Sequence, residues 1–363
     1  MRNKTTILLF TVTAFIISIG VFNYVVDVYC VFNKDNRINI HGNIADNPYI
    51  AIKLKKNQKY DCVSIGNSTS KILYLDLLNP KIANIAYLSA KITDIKNVLC
   101  AYLDMHPETK TVILPLDFVM IGTVNKKNIA PYSGKNLNIN EIFRLFYHPK
   151  TTIQSIKKLI NNKDNQDKYS IYLKKIPLRK QNKDDFEKRG MSAYSEIFKE
   201  LKKRNINIIC YTPPYPAYGL YYFYDLYGLK QIEDLKKFIV ENNGYLIDFA
   251  IINKHTNQPL SKQAYLFSDI VHPKIIWGYF VYSALFDRNF KNDDLYVILN
   301  KDNIELNLTK QKQELDNWYK KNKAEYNNFL NINSKPKTHT ITPNEIPIKY
   351  REIIEKLESK NCY

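Results

Sequence analysis

Short apolar runs recur along this chain, and segments with a helical pattern of apolar residues separate them. Because strands that alternate with helices form parallel sheets covered on both faces, the sequence predicts a three-layer α/β/α fold with a parallel, flavodoxin-like sheet. Ligands of such folds bind at the carboxyl ends of the strands, and we expect a functional site there. The predicted strands are Cys62–Ile65, Ile82–Leu88, Thr111–Leu116, Ile206–Thr212 and Tyr245–Asp248, and the helices between them include Thr93–Leu103, Ser192–Arg204 and Leu229–Asn242.

The N-terminus carries a second constraint, an uncharged and largely apolar stretch from Thr5 to Val26. About twenty such residues rise roughly 30 Å as a helix, which is enough to cross a bilayer. A cleavable signal peptide has a shorter apolar region and a small-residue exit, whereas this stretch ends in bulky Phe22 and Tyr24. We therefore predict an uncleaved anchor over residues 1–30. It would place the protein in the cell membrane with its main domain on the extracytoplasmic side.

Composition divides the rest of the chain. A polar juxtamembrane connector is predicted over residues 31–59 and an α/β domain over residues 60–290. Within that domain, residues 122–190 exceed a simple crossover and predict a partly helical insertion that covers the site. Residues 291–363 are rich in lysine and asparagine and predict a peripheral tail. Helices are expected in this tail near Leu308–Phe329 and Ile348–Ser359.

A serine near the start of the domain and an acid–histidine pair near its end are the candidates for chemistry. Ser68 follows the first predicted strand, where a tight turn into a helix exposes a hydroxyl and supplies an oxyanion donor. A serine hydroxyl needs a base, and Asp269, three residues before His272, provides one with its orienting acid. We predict Ser68 as nucleophile, His272 as general base and Asp269 as its partner. Ser64, inside the strand, and Ser70, in the first helical turn, have the expected structural roles of packing and capping.

In the segment around Ser68 and in the pair Asp269 and His272, the chain resembles the SGNH (GDSL-type) hydrolases and acyltransferases. In that family a Gly-Asp-Ser-like block lies at the start of the domain and Asp-x-x-His lies at its end. More narrowly, it is similar to the membrane-anchored members that act on cell-surface polymers, such as polysaccharide O-acetylation and D-alanine transfer proteins. The resemblance runs from about Asn23 to Phe290. It implies an SGNH-type sheet and an enzyme that transfers or removes O-acyl groups, with acetyl expected, on a surface glycan. A catalytically inactive scaffold or polymer-binding partner of a membrane O-acyltransferase is the alternative.

The chain departs from this family in its middle blocks. Family members place a glycine after the second strand and Gly-x-Asn-Asp after the third, and both lend oxyanion donors. Here Ser89 follows the second strand, so its N–H and that of Ser68 are the expected donors. The third strand leads into Asp117, whose carboxylate would repel an oxyanion, and Asn67 replaces the family's aspartate. We place Asp117 and Asn67 among the candidate substrate-binding residues.

A tyrosine-rich segment follows the fourth predicted strand. Tyr215 and Tyr218 lie nearest the end of that strand, and we take them as candidates for contact with the sugar rings of a substrate. Packing of the tyrosine rings against neighbouring helices is the alternative interpretation of this segment.

The net charge of +18 comes from 53 basic and 35 acidic residues. For a domain outside the membrane, this excess indicates an anionic polymer or a solvated basic surface, and no nucleic acid is expected. The five cysteines are scattered and show no zinc-like Cys/His spacing, so we predict neither a metal nor another cofactor. The expected partners are a cell-surface glycan or other acylated polymer, the lipid bilayer, and a multi-pass membrane O-acyltransferase.

Overall fold

The computed structural model describes residues 2–26, 48–123, 134, 136–147, 149, 152–153, 156, 170–173, 182–263, 265–287, 289–290, 294–330, 337–340 and 342–359. Most of the predicted connector and parts of the predicted insertion lie outside the described residues. The chain divides into two compact units. The anchor unit comprises Met1–Gln58, Ile129–Asn165 and Glu358–Tyr363, and the sheet unit comprises Lys59–Asn128 and Gln166–Leu357.

The sheet unit contains a six-stranded sheet, which confirms the α/β class. In chain order the strands of the protein are β1 Cys62–Ser64, β2 Ile82–Asn84, β3 Thr111–Pro115, β4 Ser170–Leu173, β5 Asn207–Thr212, β6 Tyr245–Asp248, β7 Val297–Asn300 and β8 Lys337–Thr340. The order across the sheet is β2-β1-β3-β5-β6-β7, and all neighbours are parallel except β6 and β7. Strands β4 and β8 form a separate antiparallel pair.

The central strands are mostly apolar and buried because both of their faces are covered. All residues of β1 are buried, as are the last four of β3 and the last five of β5. Among the described residues, the helices with defined bounds are α1 Arg2–Val26, α2 Pro48–Lys55, α3 Ser68–Lys71, α4 Leu75–Leu78, α5 Ile92–Met105, α6 Phe118–Gly122, α7 Ile139–Phe146, α8 Lys183–Lys203, α9 Ala217–Tyr227, α10 Leu229–Asn243, α11 Ile275–Phe286, α12 Ile304–Leu330 and α13 Ile348–Ser359. Each strand and helix predicted from the sequence has a counterpart, but α8 begins nine residues before its predicted start and β2 ends four residues before its predicted end.

The predicted parallel sheet is in fact mixed, because β7 pairs with β6 in the antiparallel direction. This strand lies in the segment that the sequence assigned to a peripheral tail, so the predicted boundary at residue 290 is wrong. Helix α12 also belongs to the core of the sheet unit, where Leu308, Leu315 and Trp318 are buried. These apolar positions recur at helical spacing. The segment was assigned to a peripheral tail because lysine and asparagine are abundant around them.

A buried ion pair fixes the carboxyl end of β6. Asp248 Oδ2 accepts hydrogen bonds from Lys236 Nζ at 2.7 Å and from Gln311 Nε2 at 3.0 Å. Asp248 Oδ1 accepts from Thr212 Oγ1 at 2.6 Å and from the Ala250 N–H at 3.1 Å. Neither charged side chain is exposed to solvent. The cluster joins β5, β6, α10 and α12, because each of these elements contributes to it.

The anchor unit contains helix α1, which is long and apolar enough to cross a membrane over Thr5–Val25. Only 6% of its most apolar window is buried within the protein. Helix α2, within the predicted polar connector, is a correction, because Tyr49, Ile50 and Ile52 are buried. Apolar side chains at this spacing belong to a packed helix rather than to a linker.

Candidate functional site

Ser68 is the first residue of α3, and a tight turn separates it from β1. Gly66 in this turn has φ of 155°, and a Cβ at this position would overlap Ser70 Oγ and lie 2.9 Å from Pro115 Cγ. The Asn67 side chain caps the helix by accepting a hydrogen bond from the Thr69 N–H at 3.0 Å. The turn therefore needs glycine and a short capping side chain, and it leaves Ser68 partly exposed.

Asp269 and His272 share a loop immediately before α11. Asp269 Oδ1 accepts hydrogen bonds from the N–H groups of Val271 and His272, both at 2.8 Å. Its second oxygen, Oδ2, accepts from His272 Nδ1 at 2.7 Å. The Ser268 N–H donates to the His272 carbonyl at 2.8 Å, which closes the loop. The spacing of three residues lets the Asp269 carboxylate stabilise the turn through the backbone N–H groups and orient the His272 ring at the same time.

The structure brings the predicted nucleophile and base together across 204 positions of sequence, with Ser68 Oγ 2.9 Å from His272 Nε2. Because Nδ1 donates to Asp269, Nε2 of the neutral ring is an acceptor, and the Ser68 hydroxyl donates to it. The side chains of His272 and Asp269 are 28% and 22% exposed. The three groups thus form a continuous chain of hydrogen bonds that solvent and small molecules can reach.

Burial and hydrogen bonding have opposite effects on the pKa values of the two ionisable residues in this hydrogen-bond chain. Burial lowers the pKa of His272, but the hydrogen bond and negative charge of Asp269 raise it more, and the pKa lies above its ordinary value. Burial raises the pKa of Asp269, yet the contacts with His272 and the backbone N–H groups bring it below its ordinary value. The carboxylate therefore remains charged at neutral pH and supports positive charge on the ring.

Two glycines that the sequence analysis overlooked allow the parts of this site to approach each other. A Cβ at Gly278 of α11 would overlap the carbonyl oxygen of Leu73, just after α3. A Cβ at Gly219 of α9 would overlap the carbonyl oxygen of Ile270, between Asp269 and His272. Both helices therefore lie directly on backbone next to the site. The only sequence signal was a glycine inside each apolar helical segment, which often marks close packing.

The two predicted oxyanion donors lie in neighbouring segments. None of the hydrogen bonds between described residues uses the Ser68 N–H. The loop after β2 adjoins the Ser68 turn, because the Tyr87 N–H donates to the Gly66 carbonyl at 3.0 Å. Ser89, two residues further along this loop, is exposed and has φ of 61°, in the left-handed region that glycine favours.

The structure contradicts the predicted substrate contact of Asn67 and Asp117, because both side chains are buried. Asp117 accepts a hydrogen bond from the Met120 N–H at 3.0 Å and contacts Thr69 Oγ1, which also donates to Asn67 Oδ1 at 2.6 Å. Burial raises the pKa of Asp117, and the hydrogen bonds that its carboxyl group receives act in the opposite sense.

Tyr215 and Tyr218 are also buried, which contradicts their predicted contact with sugar rings. The Tyr215 ring packs on Phe118 and Phe223, with centroid distances of 5.7 and 4.9 Å. The Tyr218 ring packs edge-on against Trp318 at 4.9 Å. These tyrosines hold α9 against its neighbours, which agrees with the alternative interpretation of the segment.

Among the described residues, no cluster of His, Cys, Asp and Glu side chains is arranged to hold a metal ion. Comparison of the chain with protein-family models, with curated proteins and with solved structures found no match. The geometry of the Ser68 site is therefore the main basis for assigning a function.

Proposed function

We propose that this protein is a serine-dependent acyl-ester enzyme that transfers or hydrolyses O-acyl groups. The observation that carries the proposal is the continuous series of hydrogen bonds from Ser68 through His272 to Asp269. A serine whose hydroxyl donates to a histidine, itself oriented by a carboxylate, has the arrangement needed for nucleophilic attack on a carbonyl. The partial exposure of all three residues distinguishes this series of hydrogen bonds from a buried structural network.

In the proposed reaction, Ser68 Oγ bonds to the acyl carbon while its proton passes to His272 Nε2. The tetrahedral intermediate then collapses, and the departing alkoxide takes that proton from His272. Water or a sugar hydroxyl next attacks the acyl-serine ester and transfers its proton to His272. Ser68 recovers the proton as the ester breaks, so Asp269 needs only to orient and stabilise the charged ring.

The oxyanion of the intermediate requires hydrogen-bond donors. The Ser68 N–H is the first donor in this proposal, and the Ser89 N–H is the second. Ser89 takes the left-handed backbone that suits the glycine found at this place in SGNH proteins. Asp117 supports the Ser68 turn through its contact with Thr69, which also contacts Asn67.

The strand order β2-β1-β3-β5-β6 supports assignment of the sheet to the flavodoxin-like, SGNH type, with β7 as an added edge strand. With α1 as a membrane anchor, we extend the proposal to an extracytoplasmic enzyme that acts on an O-acetylated or otherwise acylated cell-surface glycan. The basic net charge suits an anionic polymer of this kind. A multi-pass O-acyltransferase is the proposed source of acyl groups on this side of the membrane.

Hydrolysis of a small aryl acetate by the full-length protein tests the proposal. We expect Ser68→Ala to lower the rate by about 10⁴-fold or more, because the variant lacks the nucleophile. Ser64→Ala is the matched control: Ser64 Oγ is buried and has no hydrogen-bond partner among the described residues, so the rate should not change. Equal rates for Ser68→Ala and the wild type would reject the mechanism. Absence of any Ser68-dependent release would favour the inactive scaffold instead.

A further inference from the structure

Helix α7 of the anchor unit carries an exposed apolar stripe. Ile139, Ile142 and Phe143 are 81%, 40% and 56% exposed. At about 100° per residue, these positions and Phe146 fall within roughly a third of the helix circumference. Glu141 lies on the opposite face, where its two carboxylate oxygens accept hydrogen bonds from Lys53 Nζ at 2.9 Å. One face of α7 therefore pairs with another residue of the protein, and the opposite face is exposed and apolar.

The C-terminal end of α7 packs onto the last two turns of α1. Asn23 Nδ2 donates to the Phe146 carbonyl and, at 3.0 Å, to Thr152 Oγ1. The rings of Tyr24 and Phe146 stack with their centroids 6.5 Å apart. A Cβ at Gly20 would lie 2.7 Å from the Tyr147 hydroxyl oxygen. The position of α7 is thus linked to the end of the apolar helix.

This contact sets the depth of α7 relative to the apolar span. Gly20 precedes the end of the span at Val25 by about 7.5 Å, since a helix rises about 1.5 Å per residue. Interfacial amphipathic helices bury their apolar face by about 5–10 Å into the boundary between the headgroups and the acyl chains. The contacts of Asn23 also satisfy an amide that would be costly to leave unpaired at this depth.

We propose that α7 is an interfacial membrane helix, with Ile139, Ile142 and Phe143 inserted among lipid chains beside the end of α1. Ile153 and Ile156 of the same unit are also exposed, by 51% and 44%. The contacts with α1 favour a lipid bilayer as the partner of this apolar stripe. Lipid that surrounds the membrane-spanning part of α1 also surrounds a helix that packs against the end of that span. The proposal depends on α1 crossing the bilayer and is independent of the acyl chemistry.

Photo-crosslinking of the full chain in vesicles of phosphatidylethanolamine and phosphatidylglycerol tests this arrangement. The crosslinking residue p-benzoylphenylalanine replaces Phe143, and mass spectrometry measures its lipid adducts. The matched control carries it in place of Asn140, which is exposed on the polar flank of the same helix. The reference carries it in place of Phe10, which is 77% exposed within the span. All three sites are exposed, so the replacements leave the packed interior unchanged.

We expect lipid adducts at position 143 to be similar in yield to those at position 10 and about tenfold or more above those at position 140. Equal yields at positions 143 and 140 would overturn the proposal. Adducts at position 143 to another protein chain would also overturn it, because the stripe would then be a protein-docking surface. A lack of lipid adducts at position 10 would show that α1 does not cross the bilayer. That result would also reject the proposal, because the proposal depends on this span.

Discussion

Two of the hydrogen-bonded acid–base clusters in the sheet unit differ in how completely their polar groups are paired. In the first, the Lys236 ammonium contacts Asp248, Gln311 and the Tyr224 hydroxyl, and both oxygens of Asp248 accept two hydrogen bonds each. In the second, the chain of hydrogen bonds ends at the partly exposed hydroxyl of Ser68. The first cluster has no capacity left for a ligand, whereas the second ends in a group that can react.

This difference separates stability from chemistry. A fully buried charge pair resists any change because removal of one partner leaves the other unpaired and desolvated. A cluster that ends at solvent loses little stability when its last member is truncated, but it loses its reactivity. Substitutions in the two clusters should therefore affect different measurements.

Among substitutions that leave Ser68 in place, the largest effect is expected from Asp269→Asn, measured as the pH dependence of ester hydrolysis. His272 must be neutral to accept the Ser68 proton, and its pKa is raised, so wild-type activity should fall as the pH drops through a pKa above about 6.5. Asp269→Asn removes the charge that raises this pKa and leaves the burial that lowers it. The acidic limb should move to lower pH, and the rate at neutral pH should fall by about 10³–10⁴-fold.

Asp294→Asn is the control for this measurement, because Asp294 belongs to an exposed ion pair with Lys254. It should leave the pH profile unchanged. An Asp269→Asn profile whose acidic limb coincides with that of the wild type would show that another group sets the pH dependence.

The next effect is expected from Lys236→Met, measured as the free energy of unfolding of the full chain in detergent. Loss of the ammonium leaves the Asp248 carboxylate buried without its counter-charge, and we expect a loss of about 3–5 kcal/mol. Under conditions where the variant is folded, its ester hydrolysis should equal that of the wild type. The neighbouring Lys237→Met is the matched control, since Lys237 pairs with the largely exposed Glu305 and should contribute less than about 1 kcal/mol. Equal losses in the two variants would refute the proposed importance of the buried pair.

The smallest effect is expected from Gly278→Ala. The added methyl group would overlap the Leu73 carbonyl oxygen and push α11 away from the segment after α3, at a cost of about 1–3 kcal/mol. Displacement of His272 from Ser68 should lower kcat/KM by about 10–100-fold. Gly190→Ala is the control, because its methyl group would meet the movable end of the Leu235 side chain. A fall in stability with unchanged kcat/KM would show that Gly278 does not position the site.

The strands and the juxtaposition of Ser68, Asp269 and His272 were predictable because each has a local signal. Buried strands are short apolar runs, and Ser68, Asp269 and His272 stand directly after such a run or before a helix. The substrate-binding residues were not predictable, because a polar or aromatic side chain after a strand looks the same whether it faces a cleft or the core. Asp117 caps α6 and Tyr215 packs on Phe118, and both facts depend on neighbours remote in sequence.

The 204 positions that separate Ser68 from His272 also determine when the site can exist. A chain made from its N-terminus presents the serine long before the histidine has been synthesised, and the pair can form only once most of the sheet has assembled. Contacts so distant in sequence form late in folding because a long loop must close first. Under the proposed function, the nascent protein would be inert towards esters until His272 has been synthesised and has reached Ser68.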